Sequence, residues 1–180
     1  MLLVLAGAGL LVYHGAFAGS SKSPSGNQFL PASSGNKAPN GYFVLANGTN
    51  SSVAASYSKG PVILWFVTTW CSGCAQGTQV LANNMSFFAS RNVKVIEVEL
   101  YKDLGGNGQP ITSFINTYAQ NRTGASLIEP ALSGQQLSYE YDPKGYLDIY
   151  YLILPNGTIS YVNANLALTM QQLKGAVASS

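Results

Sequence analysis

Two cysteines are the only thiols in the chain, and they stand three residues apart at Cys71 and Cys74, inside "FVTTWCSGCAQGTQVL" (66–81). That spacing suits three kinds of chemistry: a redox dithiol, half of a metal site, or a structural staple. A staple closing so short a loop removes little entropy from the unfolded chain. A structural zinc or iron site asks for about four ligands, and residues 41–180 offer two cysteines and no histidine. An inert pair stays open beside the redox reading.

The redox reading depends on what surrounds the pair. "PVILWFVTTW" (61–70) is almost continuously apolar and rich in β-branched and aromatic residues, the pattern of a strand buried on both faces. From Cys71 to about Ser90 the spacing of Val80, Leu81, Met85 and Phe88 predicts a helix. Cys71 then sits at the helix N-terminus, where unpaired N–H groups and the helix dipole favour a thiolate. Cys74 lies one turn on, within reach of a mixed disulfide formed on Cys71. Ser72 and Gly73 are small and leave Cys71 open to a partner. The chemistry assigns Cys71 as nucleophile and Cys74 as resolving thiol. Trp70, beside the nucleophile, is a candidate contact for a docking protein.

The elements around this core follow from pattern. "YFVLA" and the Asn47-Gly48 turn predict an N-terminal hairpin, and "VKVIEVEL" (93–100) a second central strand with Glu97 and Glu99 at the sheet margin. "PITSFINTYAQN" (110–121) predicts a helix, and a short strand is expected near Ser126–Ile128. "DIYYLILPNGTISYVN" (148–163) predicts a hairpin, and "LTMQQLKGAVAS" (168–179) a closing helix with Leu168, Leu173 and Val177 inward. The expected fold class is α/β, a central mixed β-sheet flanked by helices with an N-terminal β-hairpin extension.

Upstream, residues 1–18 carry no charge and end in "AFA", which predicts a signal peptide or membrane anchor. His14 within this run reads as a tolerated polar residue near a membrane interface. Residues 19–40 are rich in Ser, Gly, Asn and Pro and predict a flexible linker, leaving 41–180 as the folded domain. Charged residues make up 9% of the 180, with a net charge of +2, against about 25% charged residues in ordinary soluble domains. No Lys/Arg cluster is present, which argues against a nucleic-acid surface. Five N-x-S/T triplets, at Asn47, Asn50, Asn84, Asn121 and Asn156, agree with an exported glycoprotein. The sequence leaves the oligomeric state open.

"GPVILWFVTTWCSGC" resembles the "GKPVLLNFWATWCPPC" pattern of thioredoxin-like proteins, with the nearest likeness to extracytoplasmic TlpA-like thiol-disulfide oxidoreductases. "YYLILPNGTI" is similar to that group's "TFLIDKDGKI", and the likeness spans about residues 42–178. It implies a thioredoxin-like fold and dithiol–disulfide exchange with protein thiols, Cys71 and Cys74 taking the two cysteine positions, with no cofactor and no bound metal. Two departures stand out. The family's cis-proline slot falls on Asp148 or a neighbour, with Pro143 five residues earlier, and the position six before the first cysteine is Trp65 rather than a carboxylate or amide. Asp148 reads first as a solvated loop residue before a strand; if it fills that slot instead, it would relay a proton to or from Cys74 and oppose thiolate formation. Sco-type copper proteins also resemble this pattern. Their histidine position falls near Tyr146, so a non-catalytic module holding metal or a partner is the alternative reading.

Overall fold

The computed structural model describes residues 32–119, 122 and 124–180. The signal or anchor expected at 1–18, and residues 19–31 of the expected linker, lie outside the described residues, as does the sequon at Asn121. Among the described residues no helix is long and apolar enough to cross a membrane.

Seven strands form one mixed sheet in the order β2-β1-β5-β4-β3-β6-β7. The strands are β1 Tyr42–Leu45, β2 Asn50–Ser52, β3 Val62–Val67, β4 Lys94–Glu99, β5 Ile128–Ser133, β6 Asp148–Ile153 and β7 Ile159–Ala164. β3, β4 and β5 run parallel, and β6 lies antiparallel beside β3. Every residue of β3 and of β6 is buried, as the unbroken apolar run of β3 requires when helices cover both faces.

One face carries helices α2 (Ser72–Ala89), α3 (Ile111–Tyr118) and α5 (Leu166–Ala178). Their core with the sheet includes Trp65, Val67, Cys74, Leu81, Phe88, Phe114, Tyr150 and Leu173. The other face carries α1 (Val53–Tyr57) and α4 (Gln135–Tyr141) over Phe43, Leu64, Phe66, Val98 and Tyr151. This is the expected α/β fold, a mixed sheet between two helical layers.

Three elements escape pattern reading. α1 is five residues long and α4 seven, too short to show a period. β5 extends to Ser133 because Pro130 is tolerated where the β1 ladder ends: β1 pairs only with Ala131, Leu132 and Ser133, so the missing N–H of Pro130 disturbs little. In the last helix the inward set differs from expectation. α5 starts at Leu166, capped by Asn165, so Leu166 and Met170 turn inward with Leu173 and Val177 while Leu168 is exposed.

Residues 32–40, composed like a linker, are held on the domain. The Ala32 N–H donates to the Glu140 carbonyl, the Gly35 N–H to Ile159, and the Ala38 N–H to Gly157. Lys37 bridges Thr158, and Ala32 and Ala38 pack against the α1/α4 core. The ordered region therefore begins upstream of the boundary expected at Gly41.

Candidate active site

β3 delivers the chain to the cysteines through Thr68 and Thr69, both buried. The Asp103 carboxylate fastens this exit. Its Oδ1 accepts from the Thr69 backbone N–H at 2.8 Å and its Oδ2 from the Thr69 hydroxyl at 2.7 Å. The Trp70 indole N–H donates to the Asp103 carbonyl at 2.8 Å. Asp103 itself lies in a left-handed turn: Lys102, Asp103, Leu104 and Gly105 have φ of 51°, 51°, 52° and 86°. Left-handed geometry costs a residue with a Cβ about 1–2 kcal/mol, so the bonds to Thr69 and Trp70 hold a strained segment beside the cysteines. Gly108 closes against the same clasp, and a Cβ there would overlap Asp103 and Thr69. Gly108→Ala should therefore cost about 1–3 kcal/mol. Thermal unfolding checks this, and an unchanged Tm would show that the clasp yields easily.

Cys71 is the N-cap of α2 and is joined to Cys74 as a disulfide. Its sulfur accepts the Cys74 backbone N–H at 3.1 Å. Cys71 and Gly73 are half-buried, Ser72 is exposed, and Cys74 is fully buried. Trp70 is 45% exposed next to Cys71. Of the two cysteines Cys71 is the more accessible and Cys74 the covered one.

The loop before β6 differs from the expected proline slot. No peptide bond among the described residues is cis, and Pro143 is exposed on a turn away from the sulfurs. Leu147 fills the slot with its backbone. It has φ of 66°, and its carbonyl oxygen lies 3.0 Å from Cys74 Sγ, an acceptor for the thiol proton in the reduced state. Asp142 fixes this loop by accepting the N–H groups of Tyr146 and Leu147. Tyr146, near the position of the copper-protein histidine, is exposed. Among the described residues no three His, Cys, Asp or Glu side chains gather as a metal site.

Asp148 is the first residue of β6 and is buried on the α2 face. Its Oδ1 accepts from the Trp65 indole at 2.7 Å and from the Leu166 N–H at 3.2 Å. A Cβ on Gly73 would lie 3.8 Å from Cys71 Sγ and 3.9 Å from Asp148 Oδ2, so the carboxylate borders the cysteine turn. Burial raises its pKa, and the bonds from Trp65 and Leu166 work against that rise. Trp65 is not a carboxylate, but it holds one in place.

Glu97, expected at the sheet margin, lies instead at the centre of the sheet with no exposure. It pairs across the ladder with Trp65 and faces α2, where the Thr78 hydroxyl lies 2.8 Å from its Oε1. Desolvation pushes its pKa up to about 8, with Thr78 lowering it and Asp148 raising it. Glu99, half-buried at the end of β4, is pushed to about 7 by desolvation and by Asp103, against the Ile111 N–H bonded to it. Sequence reading passed over Glu97. The available signal was its period-two alignment with Val95, which puts both on one face of a central strand.

Residues 34–120 match the AhpC/TSA family. A structure named as the thiol:disulfide interchange protein DsbE from Chlorobium tepidum superposes with a TM-score of 0.60 at 17% identity, covering 81% of this chain and 98% of that one. The fold of this chain is thioredoxin-like. Among thioredoxin-like relatives, thiol-disulfide oxidoreductase ResA of Bacillus subtilis (strain 168) is 28% identical over 122 residues, which cover 67% of this chain and 60% of ResA. A secreted disulfide oxidoreductase of Mycobacterium tuberculosis, homologous to E. coli DsbE, superposes with a TM-score of 0.55 at 19% identity, covering 78% of this chain and 96% of that one. The chain thus spans less than two thirds of the ResA length, and the superpositions, at these identities, speak for the thioredoxin-like fold alone.

Proposed function

We propose that this thioredoxin-like protein is a thiol-disulfide oxidoreductase acting on protein partners outside the cytoplasm. The observation that carries the reading is the accessibility split at the Cys71–Cys74 disulfide: a half-buried cysteine at a helix N-cap and a fully buried one a turn below. A partner thiolate attacks Cys71 Sγ, the Cys71–Cys74 bond breaks, and the electron pair stays on Cys74. The Cys74 backbone N–H, bonded to Cys71 Sγ, favours the Cys71 thiolate when that sulfur later leaves.

Docking has a surface to use. Trp70, next to Cys71, and Leu104, Tyr139 and Tyr146 expose apolar area. A cleft of about 450 Å³ runs between the left-handed turn and the 142–145 segment. The names of ResA and of the secreted mycobacterial oxidoreductase support the activity and the compartment. The uncharged stretch at 1–18 supports export, with or without retention as an anchor.

Insulin reduction by the full chain tests the proposal. The wild-type protein should precipitate insulin in the presence of dithiothreitol faster than the reductant alone, and Cys71→Ser should abolish the gain. In the reduced protein iodoacetamide should modify Cys71 well before Cys74. An inactive protein that instead takes up one equivalent of copper or zinc would replace this reading with that of a metal-holding module.

A further inference from the structure

Cys74 needs a proton each time the disulfide opens and must lose one each time it closes, yet it is fully buried and out of reach of bulk solvent. Two carboxylates lie in the same layer between the sheet and α2. Asp148 accepts two hydrogen bonds, from Trp65 and Leu166, on Oδ1, which stabilise its charged form. Glu97 has only the Thr78 contact, and its Oε2 is buried with no hydrogen-bond partner. An ionised carboxylate left so bare in an apolar layer would be costly.

Thr78 adds a second argument. Its hydroxyl oxygen lies 2.8 Å from Glu97 Oε1 and 3.1 Å from the Cys74 carbonyl oxygen. One hydroxyl hydrogen cannot serve both oxygens. If Glu97 carries a proton on Oε1 and donates it to Thr78, the Thr78 hydroxyl is free to donate to Cys74, and both contacts are satisfied. The hydrogen-bond count and the bare Oε2 thus agree on a protonated Glu97 in the oxidised protein, tied through one side chain to the turn that carries Cys74.

We infer that Glu97 is the proton store for Cys74. This rests on the oxidoreductase reading above and assigns that site a positioning residue on the neighbouring strand. When a partner thiolate forms its bond to Cys71 Sγ, the Cys71–Cys74 bond breaks and Cys74 leaves as a thiolate. Glu97 gives its proton to that thiolate and becomes a carboxylate. A second thiolate of the partner dithiol then attacks the partner's sulfur and releases Cys71. In the opposite direction the Glu97 carboxylate takes the Cys74 proton as that sulfur attacks the mixed disulfide. A carboxyl titrating near 8 is well matched to a thiol of ordinary pKa about 8.5. Of the neighbouring groups among the described residues only Thr78 is bonded to the Glu97 carboxyl; the titratable groups in the same layer are Asp148 and Tyr150 on β6, Glu99 two residues further along β4 and Cys74 on α2. Of these, the Asp148 charge opposes Glu97 ionisation, so Asp148 keeps the proton on Glu97 until the thiolate appears.

The test is the resolution rate of the full chain carrying glutathione as a mixed disulfide on Cys71, followed from pH 6 to 10. In the wild type the rate should level off near pH 8 as Glu97 ionises. Glu97→Gln should slow resolution about 10²-fold and leave a rate that climbs with pH until Cys74 ionises unaided, while alkylation of Cys71 stays unchanged. A Glu97→Gln profile that overlays the wild type overturns the assignment. A second measurement needs no variant to fold: infrared spectra of the wild type at pH 7 should show a protonated-carboxyl band when oxidised that changes on reduction. A wild type without that band overturns the assignment. A wild type that shows the redox-dependent band yet reduces no protein disulfide overturns the proposed function and leaves the Glu97–Cys74 proton link standing.

Discussion

Glu97→Gln should flatten the dependence of folding stability on pH between about 4.5 and 8. In the folded chain the Glu97 carboxyl holds its proton up to about pH 8, while in the unfolded chain it releases it near 4.5. Across that window the native state binds the extra proton, so stability falls as pH rises. The contribution is complete below 4.5 and gone above 8. For a shift of that size it is on the order of several kcal/mol. Glu99, pushed to about 7 and only half-buried, acts in the same direction and more weakly, so a small slope should survive in the variant. Urea unfolding of both proteins at pH 5 and pH 8 reads the difference. Equal losses of stability in the two would mean that Glu97 reaches solvent or finds a cation.

Asp148→Ala should cost about 2–5 kcal/mol, because it strips the acceptor from two donors inside the protein, the Trp65 indole and the Leu166 N–H, each about 1–3 kcal/mol when left unpaired. Asp148→Asn should cost far less, since an amide oxygen can still accept both bonds. The two variants therefore separate the acceptor from the charge. With the charge removed and the scaffold kept, Asp148→Asn should react faster with iodoacetamide at pH 7 than the wild type, because a nearby negative charge no longer opposes the thiolate. If Asp148→Ala unfolds at the same urea concentration as Asp148→Asn, the bonds at Oδ1 are replaceable. If the asparagine variant alkylates at the wild-type rate, the carboxylate is too well shielded from Cys71 to tune it.

The layout of the site was legible wherever a local rule applied. The unbroken apolar run of β3 marks a central strand, and a strand running into a helix puts Cys71 at an N-cap. Counting back from the Pro-Asn-Gly turn draws notice to Asp148 but reads it as a solvated loop residue, whereas it is buried as the first residue of β6. What stayed hidden is set by pairing across the sheet. Glu97 joins the site because β4 registers it against Trp65, and nothing local to "VKVIEVEL" says which helix will cover that face. Asp103 was equally invisible, since its role depends on a left-handed turn that no non-glycine sequence advertises. Leu147 contributes a carbonyl, which no side-chain pattern encodes. The short helices α1 and α4 were lost to length, and the N-terminal segment was misjudged because composition reports flexibility, not the backbone bonds to Glu140, Gly157 and Ile159 that hold it.

That segment has an architectural result. Ala32 and Ala38 pack on the α1/α4 side of the sheet, whereas Cys71 and Cys74 belong to the α2 side. The seven-stranded sheet stands between the point where the chain enters and the point where it works. Residues 32–38 thus lie against one face of the sheet and the two cysteines against the other, so a contact made on the first face need not cover Cys71.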